Sequence, residues 1–146
     1  MPLTANPSFH HIEIPCYDLE VAERFYTALF GATVYMRRDA NHRTGVPATG
    51  SIAQARASGF EIDATYMKFA GFRIGFLKRR QQHAQQEVDH LAFVIDDDDL
   101  AALARRLEDE SVDVVEYSAE RMLVRDPFGL ILELWPRSVL RGMGLL

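Results

Sequence analysis

Imidazoles and carboxylates are the side chains of this chain best suited to chemistry. Its five histidines stand at positions 10, 11, 42, 83 and 90. His11 and His90 each lie at the front of a strand-like run, and an imidazole can ligate a metal or carry a proton near neutral pH. Glu13 stands two residues beyond His11 and so on the same side of a strand, while Glu133 shares a strand face with Ile131 and Trp135. Taken singly, His11 or His90 reads as a hydrogen-bonded core histidine and Glu133 as a rim carboxylate. An unpaired carboxylate inside a sheet is costly, so Glu133 calls for a partner. His10 falls on the opposite strand face from His11, and His42 and His83 lie in polar segments, so these three are expected not to be ligands.

Other candidate chemistries lack their parts. Cys16 is the single cysteine, which excludes an intramolecular disulfide framework and suits a reducing compartment, with the cytoplasm as the expected location. It lies between Pro15 and Tyr17, neither of which is a base that would activate a thiol, and a bland role is expected. The run Asp96-Asp97-Asp98-Asp99 lacks the glycine and the closing glutamate of a calcium loop and reads as helix-capping charge. Arg37-Arg38 and Lys78-Arg79-Arg80 are short clusters that read as solvated strand ends. With a net charge of −5, the chain is expected not to bind nucleic acid, which needs concentrated Lys and Arg. Met1 to Ser8 show no signal-peptide pattern, and no apolar run reaches spanning length, so no membrane partner is expected.

The elements that must position these residues follow from periodicity. Phe9 to Ile14 alternates as a strand, which Pro15 is expected to end. Leu19 to Phe30 repeats apolar residues at helical spacing, with Asp18 placed to cap its start and Gly31 to close its end. Thr33 to Arg37 predicts a second strand. Asp39 to Asp63 carries little periodicity and reads as a long loop, a candidate lid, with room for a short helix near Ser51 to Ala57. Thr65 to Phe69 and Phe72 to Lys78 predict a hairpin through Ala70-Gly71. A Gln-rich linker is expected over residues 81–87. Strands are then predicted at Val88 to Ile95, Val112 to Tyr117, Met122 to Arg125 and Leu130 to Trp135. A helix behind the aspartate run carries Leu100, Leu103 and Leu107.

The pattern in the first half recurs in the second. His11-Ile12-Glu13-Ile14 aligns with His90-Leu91-Ala92-Phe93, Asp18 with Asp97 and Ala22 with Ala101, at a constant offset of 79 residues. A duplicated βαβββ unit is the simplest reading, and 146 residues with 48% hydrophobic composition suit one soluble α+β domain. Module one is expected over about residues 9–80 and module two over about 88–137.

These residues resemble the vicinal oxygen chelate superfamily, which includes glyoxalase I, fosfomycin-resistance proteins, methylmalonyl-CoA epimerase, extradiol dioxygenases and bleomycin-resistance proteins. The carriers are His11-Ile12-Glu13-Ile14 with Asp18-Leu19 and Phe25-Tyr26, then Asp89-His90-Leu91-Ala92-Phe93, then Asp126-Pro127-Phe128-Gly129 leading to Leu132-Glu133-Leu134. The resemblance covers about Phe9 to Arg137 and implies two βαβββ modules in a cup-shaped mixed sheet. It further implies that His11, His90 and Glu133 ligate a divalent ion. Two imidazoles and one carboxylate suit Fe, Mn, Zn or Ni and leave positions open for substrate. A homodimer is implied too, with the ion held within one chain or across two.

Two departures qualify what the resemblance implies. Relatives take a fourth ligand from the last strand of module one, Glu in glyoxalase I and Gln in the epimerase, where this chain has Gly75. Glu13 stands where fosfomycin-resistance proteins have a small hydroxyl residue that contacts an anionic substrate, and a carboxylate there would repel a phosphonate. Glu13 is read as a general base, an extra ligand, or a rim residue paired with an arginine such as Arg73 or Arg125, and proton transfer is the role assigned to it. The expected function is that of a metal-dependent enzyme acting on a small oxygen-chelating substrate, with a dioxygenase first. A lyase or thiol transferase of the glyoxalase I or fosfomycin-resistance type is the alternative within that class. A metal-free sequestering protein of the bleomycin-resistance type competes from outside it.

Overall fold

A computed structural model describes residues 10–46, 48–79, 88, 90–109, 112–143 and 145–146. The expected linker at 81–87, together with Phe9, His83 and Asp89, lies outside the described residues. The chain divides into two compact units, Met1–Ala84 and Gln85–Leu146.

The first unit builds a five-stranded mixed sheet from β1 (Ile12–Cys16), β2 (Thr33–Asp39), β3 (Thr44–Val46), β4 (Ile62–Phe69) and β5 (Phe72–Lys78), in the order β1-β5-β4-β2-β3. Only β1 and β5 run parallel. Helix α1 (Leu19–Phe30) starts where the Asp18 carboxylate accepts from the backbone N–H groups of Glu20 and Val21, at 2.9 and 3.1 Å, and ends at Gly31 with φ +63°. Its buried residues Leu19, Ala22, Tyr26 and Leu29 cover one face of the sheet, where Tyr26 meets Phe76 at 4.6 Å between ring centroids. The predicted hairpin turn is present, with positive φ at both Ala70 and Gly71 as a two-residue turn of matching twist requires.

Several expectations are corrected in this unit. Pro15 does not end the first strand, which continues to Cys16. The Cys16 carbonyl accepts from Arg79 N–H at 2.8 Å, so the alternate residue Pro15 turns its missing N–H away from β5, and β1 is last in the order of its sheet, a position where a proline is tolerated. The segment from Asp39 to Asp63 is less open than expected: it holds β3, which was not expected, as well as α2 (Ile52–Ala57), the short helix expected there, which starts behind a Ser51/Gln54 capping box and buries Ile52. Polar contacts tie it down. Asp39 accepts from the Glu61 and Asn41 N–H groups and pairs with His42, and Arg38 pairs with Asp63 through two bonds of 2.9 Å. Arg37 is not the solvated strand end expected of it: it lies within β2, is 2% exposed, and donates twice to Glu23 and once to the Gly50 carbonyl.

The second unit repeats this topology. Strands β6 (His90–Ile95), β7 (Asp113–Tyr117), β8 (Met122–Arg125) and β9 (Ile131–Pro136) form a sheet in the order β6-β9-β8-β7, with β6 and β9 parallel. Helix α3 (Asp97–Asp109) packs on β9 and buries Leu100 and Leu107, while Met122, Val124, Leu130, Leu132 and Leu134 fill the same core. The turn into β9 is set by Asp126, whose Oδ1 accepts from the Phe128 and Leu130 N–H groups at 2.8 Å each, with Gly129 at φ +90°. A short helix, α4 (Arg137–Gly142), was not expected; it is held by the aspartate run, since Asp97 accepts from Ser138 N–H at 2.9 Å and Asp96 pairs with Arg137. The run thus places Asp97, Asp98 and Asp99 in the first turn of α3, the favourable helix-dipole charge expected of it, while its contacts to α4 were not expected.

Candidate metal centre

In the second unit the parallel pairing of β6 and β9 sets Ala92 beside Glu133 and His90 beside Ile131. Leu132 and Leu134 point into the core, so strand alternation puts Glu133 on the opposite face, along with His90. There His90 Nε2 and Glu133 Oε2 lie 3.5 Å apart. The other carboxylate oxygen, Oε1, accepts from Arg121 Nη1 at 2.8 Å. Arg121 is itself fixed: Glu116 accepts from its Nε at 3.0 Å and its Nη2 at 3.3 Å, and the guanidinium lies 5.6 Å from the Trp135 ring centroid. Glu116 first, and Glu133 after it, raise the pKa of Arg121 and hold it charged. Glu133, 9% exposed, therefore has the partner its burial demands.

In the first unit His11 directly precedes β1. Its Nδ1 is engaged by His10 Nδ1 at 2.8 Å, which leaves Nε2 as its other donor atom. His10 is thus drawn to His11 and does not point away from it as strand alternation predicted, because β1 begins only at Ile12. The His11 ring meets Tyr66 edge-on, 6.0 Å between centroids. Tyr66 OH donates to Glu13 Oε1 at 2.5 Å. Burial, and then the Glu13 carboxylate, push the Tyr66 pKa up to about 12, which keeps the phenol protonated and donating.

Glu13 thus pairs with a phenol and not with an arginine. Arg125, offered by the sequence, is bound to Asp113 at 3.0 Å, and Arg73 lies beside Lys68 in a surface cleft at the β4–β5 turn. The register also explains Gly75. It stands opposite Glu13 as Glu133 stands opposite Ala92, so Gly75 is the repeat equivalent of Glu133. A Cβ on Gly75 would come within 2.8 Å of the Tyr66 ring and 3.0 Å of Glu13 Cγ, so those two side chains occupy the space of the missing one.

Each unit thus supplies part of the expected donor set: His90 and Glu133 come together in the second, and His11 stands with Tyr66 and Glu13 in the first. Among the described residues, no group of three or more His, Cys, Asp and Glu side chains is arranged to hold a metal ion. The donor chemistry of the His90–Glu133 pair fits a divalent ion all the same. One imidazole nitrogen and one carboxylate oxygen face each other, and an arginine orients the second oxygen as an outer-shell partner does. Sequence reasoning missed Tyr66 and Arg121. Neither carries a local signature, because each acts on a residue far along the chain that only strand pairing brings close.

The chain was compared with known proteins. The model of the glyoxalase/bleomycin resistance protein/dioxygenase superfamily matches residues 8–134. None of the curated proteins compared with it matches the chain. Solved structures of the fosfomycin resistance protein FosX share its fold. The protein from Mesorhizobium loti aligns with a TM-score of 0.68 at 16% identity, over 96% of this chain and 99% of that one. The Listeria monocytogenes protein aligns with a TM-score of 0.67 at 15% identity, over 93% and 96%. The latter in complex with Mn(II) and sulfate gives 0.66 at 14%, over 90% and 93%. At such identities the likeness speaks for the fold. With the family model spanning most of the sequence, the chain belongs to the glyoxalase/bleomycin resistance protein/dioxygenase superfamily.

Proposed function

We propose that this chain is a divalent-metal-dependent enzyme acting on a small substrate that offers two neighbouring oxygens, with His11, His90 and Glu133 as the metal ligands, drawn from one chain or from two. The supporting observation is the His90–Glu133 pair, 3.5 Å apart on adjacent strands, with Arg121 holding the carboxylate's other oxygen. A divalent ion held by these donors would supply Lewis acidity toward the substrate oxygens and stabilise developing enolate, alkoxide or catecholate charge. Mn(II) in the Listeria FosX structure supports that ion as one to try, beside Fe, Zn and Ni.

The chain's own residues supply the rest. Glu133 would hold the ion while Arg121, which donates to its Oε1, fixes the plane of the carboxylate. Glu13, held through Oε1 by Tyr66, keeps its other oxygen for accepting a substrate proton, the role we assign to it. The same carboxylate disfavours a phosphonate by like-charge repulsion, and Arg38 is already committed to Asp63. A catechol-like or other weakly charged substrate fits better, and extradiol-type dioxygenation is therefore the reaction we place first, ahead of lyase or thiol-transfer chemistry.

Oxygen uptake on a catechol panel, after anaerobic loading with Fe(II), tests this order. Consumption that depends on Glu13 and His90 supports it; turnover only under Mn(II) or Ni(II), on a non-catechol substrate, moves the assignment to the lyase or transferase branch. Purified protein that carries no ion and still binds small ligands would instead be a sequestering protein of the bleomycin-resistance kind.

A further inference from the structure

Beside the β4–β5 turn of the first unit stand two cations without a counter-charge. Lys68 on β4 is directly opposite Arg73 on β5, and Thr33 on β2 is directly opposite Lys68, so the three side chains form one row across adjacent strands, on one face of the sheet. That face is turned away from α1, because Phe76, three residues beyond Arg73, meets Tyr26 of the helix. Like charges directly opposite one another repel. Elsewhere the chain answers its cations with acids: Arg37, Arg38 and Arg125 each lie 2.8 to 3.0 Å from a carboxylate oxygen. Among the described residues no carboxylate pairs with Lys68 or Arg73, and both are exposed. The row does not lie on a flat surface. With Gly31, Phe69 and the turn it lines a cleft of about 320 Å³, within the range that holds small ligands, and no acidic residue is part of the lining. The surroundings are firm: Phe69 stacks on Phe30 at 4.5 Å between ring centroids and meets Phe72 at 5.5 Å, and the tight Ala70-Gly71 turn sets the register that puts Lys68 beside Arg73.

We infer that this cleft binds the phosphoryl group of a small phosphate monoester, using none of the residues assigned above to the metal. A phosphate monoester carries about −1.5 to −2 charge at pH 7 and so balances both cations, where a monocarboxylate would leave one of them unanswered. Arg73 offers a planar fork of donors that suits two phosphoryl oxygens, Lys68 a compact charge for a third, and Thr33 a hydroxyl on the next strand. The cleft has room for an organic body beyond the phosphoryl group.

Calorimetric titration with phenyl phosphate and with benzoate tests this on the wild type and on Lys68→Met, Arg73→Gln, Arg73→Lys and His90→Ala. Phenyl phosphate should bind the wild type saturably, with a dissociation constant of about 1 mM or below, and benzoate at least about tenfold more weakly. Lys68→Met and Arg73→Gln should each weaken phenyl phosphate binding about tenfold or more, the scale of one lost charge-assisted contact. Arg73→Lys, which keeps the charge without the fork, should fall between Arg73→Gln and the wild type. Each charge removal also relieves the like-charge pair, so the melting temperature of Lys68→Met or Arg73→Gln should hold or rise, which separates lost binding from lost folding. His90→Ala should bind the ester as the wild type does. A wild type that binds no phenyl phosphate, benzoate bound as tightly as the ester, or binding that survives both Lys68→Met and Arg73→Gln overturns the inference. So does binding lost in His90→Ala but kept in Lys68→Met, which would put the ester at the metal centre instead.

Discussion

The two units share one strand topology and differ in where they keep their charge. The second unit fills its core with Leu, Val and Met and brings Glu133 and Arg121 to the face that carries His90. The first unit buries an ionic network under its sheet: Arg37 donates to Glu23, and Thr65 OH donates to the same carboxylate at 2.7 Å. On the face of His11 it replaces the cation-held carboxylate with a phenol-held one. The contrast teaches that a duplicated backbone preserves positions, while the chemistry at each position follows from which neighbour is left small. Where Ala92 is small, the last strand carries the acid; where Gly75 is smaller still, the first strand does.

The largest effect should come from the buried network. Arg37→Ala leaves the Glu23 carboxylate without its cation, with only Thr65 of the two still donating to it, and should cost about 3–5 kcal/mol in urea unfolding. Removing the surface pair Arg125–Asp113 of the other unit should cost less than about 1 kcal/mol. Equal losses would erase the contrast.

Next is the carboxylate partner. Arg121→Ala should weaken Mn(II) or Co(II) binding by about 10–100-fold while shifting the melting temperature little, because it strips the outer-shell contact from Glu133. An unchanged affinity would make Arg121 a packing residue only.

Gly75→Ala forces a Cβ to within 2.8 Å of the Tyr66 ring and should destabilise by about 1–3 kcal/mol. Combined with Tyr66→Ala, which vacates the space, the added cost should shrink; full additivity would mean the ring is not the obstacle.

The smallest expected effect is alkaline. The folded-state pKa of Tyr66 is raised from 10.0 to about 12, so the neutral phenol contributes stability that is fully present below pH 10 and lost as pH rises through about 12. The unfolding free energy of the wild type should fall across that window more steeply than that of Tyr66→Phe. Parallel curves would show that the phenol ionises as readily in the fold as outside it.

Much of the fold was legible because it rests on local signals. Helix α1 lies where Asp18 and Gly31 bracket its apolar stripe, and β8 runs from Met122 to Arg125 as its alternation predicts. The repeat was visible in the 79-residue offset and is present in the matching strand orders. What escaped were elements held by distant or polar contacts. Strand β3 has three residues and so offers no periodicity, whereas the short helix expected near Ser51 to Ala57 is present as α2. The α4 helix buries none of its residues and has no apolar stripe to read. Pro15 misled because only the sheet order reveals that β1 is an edge. At the candidate site the strands that carry Glu13, His90 and Glu133 were legible, whereas the side chains that hold the two carboxylates were not. Arg121 meets Glu133 across 12 residues and Tyr66 meets Glu13 across 53, separations at which one sequence carries no pairing signal.

The metal assignment is tested most directly by elemental analysis of protein purified without chelators, alongside His11→Ala, His90→Ala and Glu133→Ala. Close to one divalent ion per site in the wild type, falling at least about 100-fold in affinity in each of the three variants, is the expected result. Metal-free wild type, or an ion retained when all three positions are changed in turn, would contradict it.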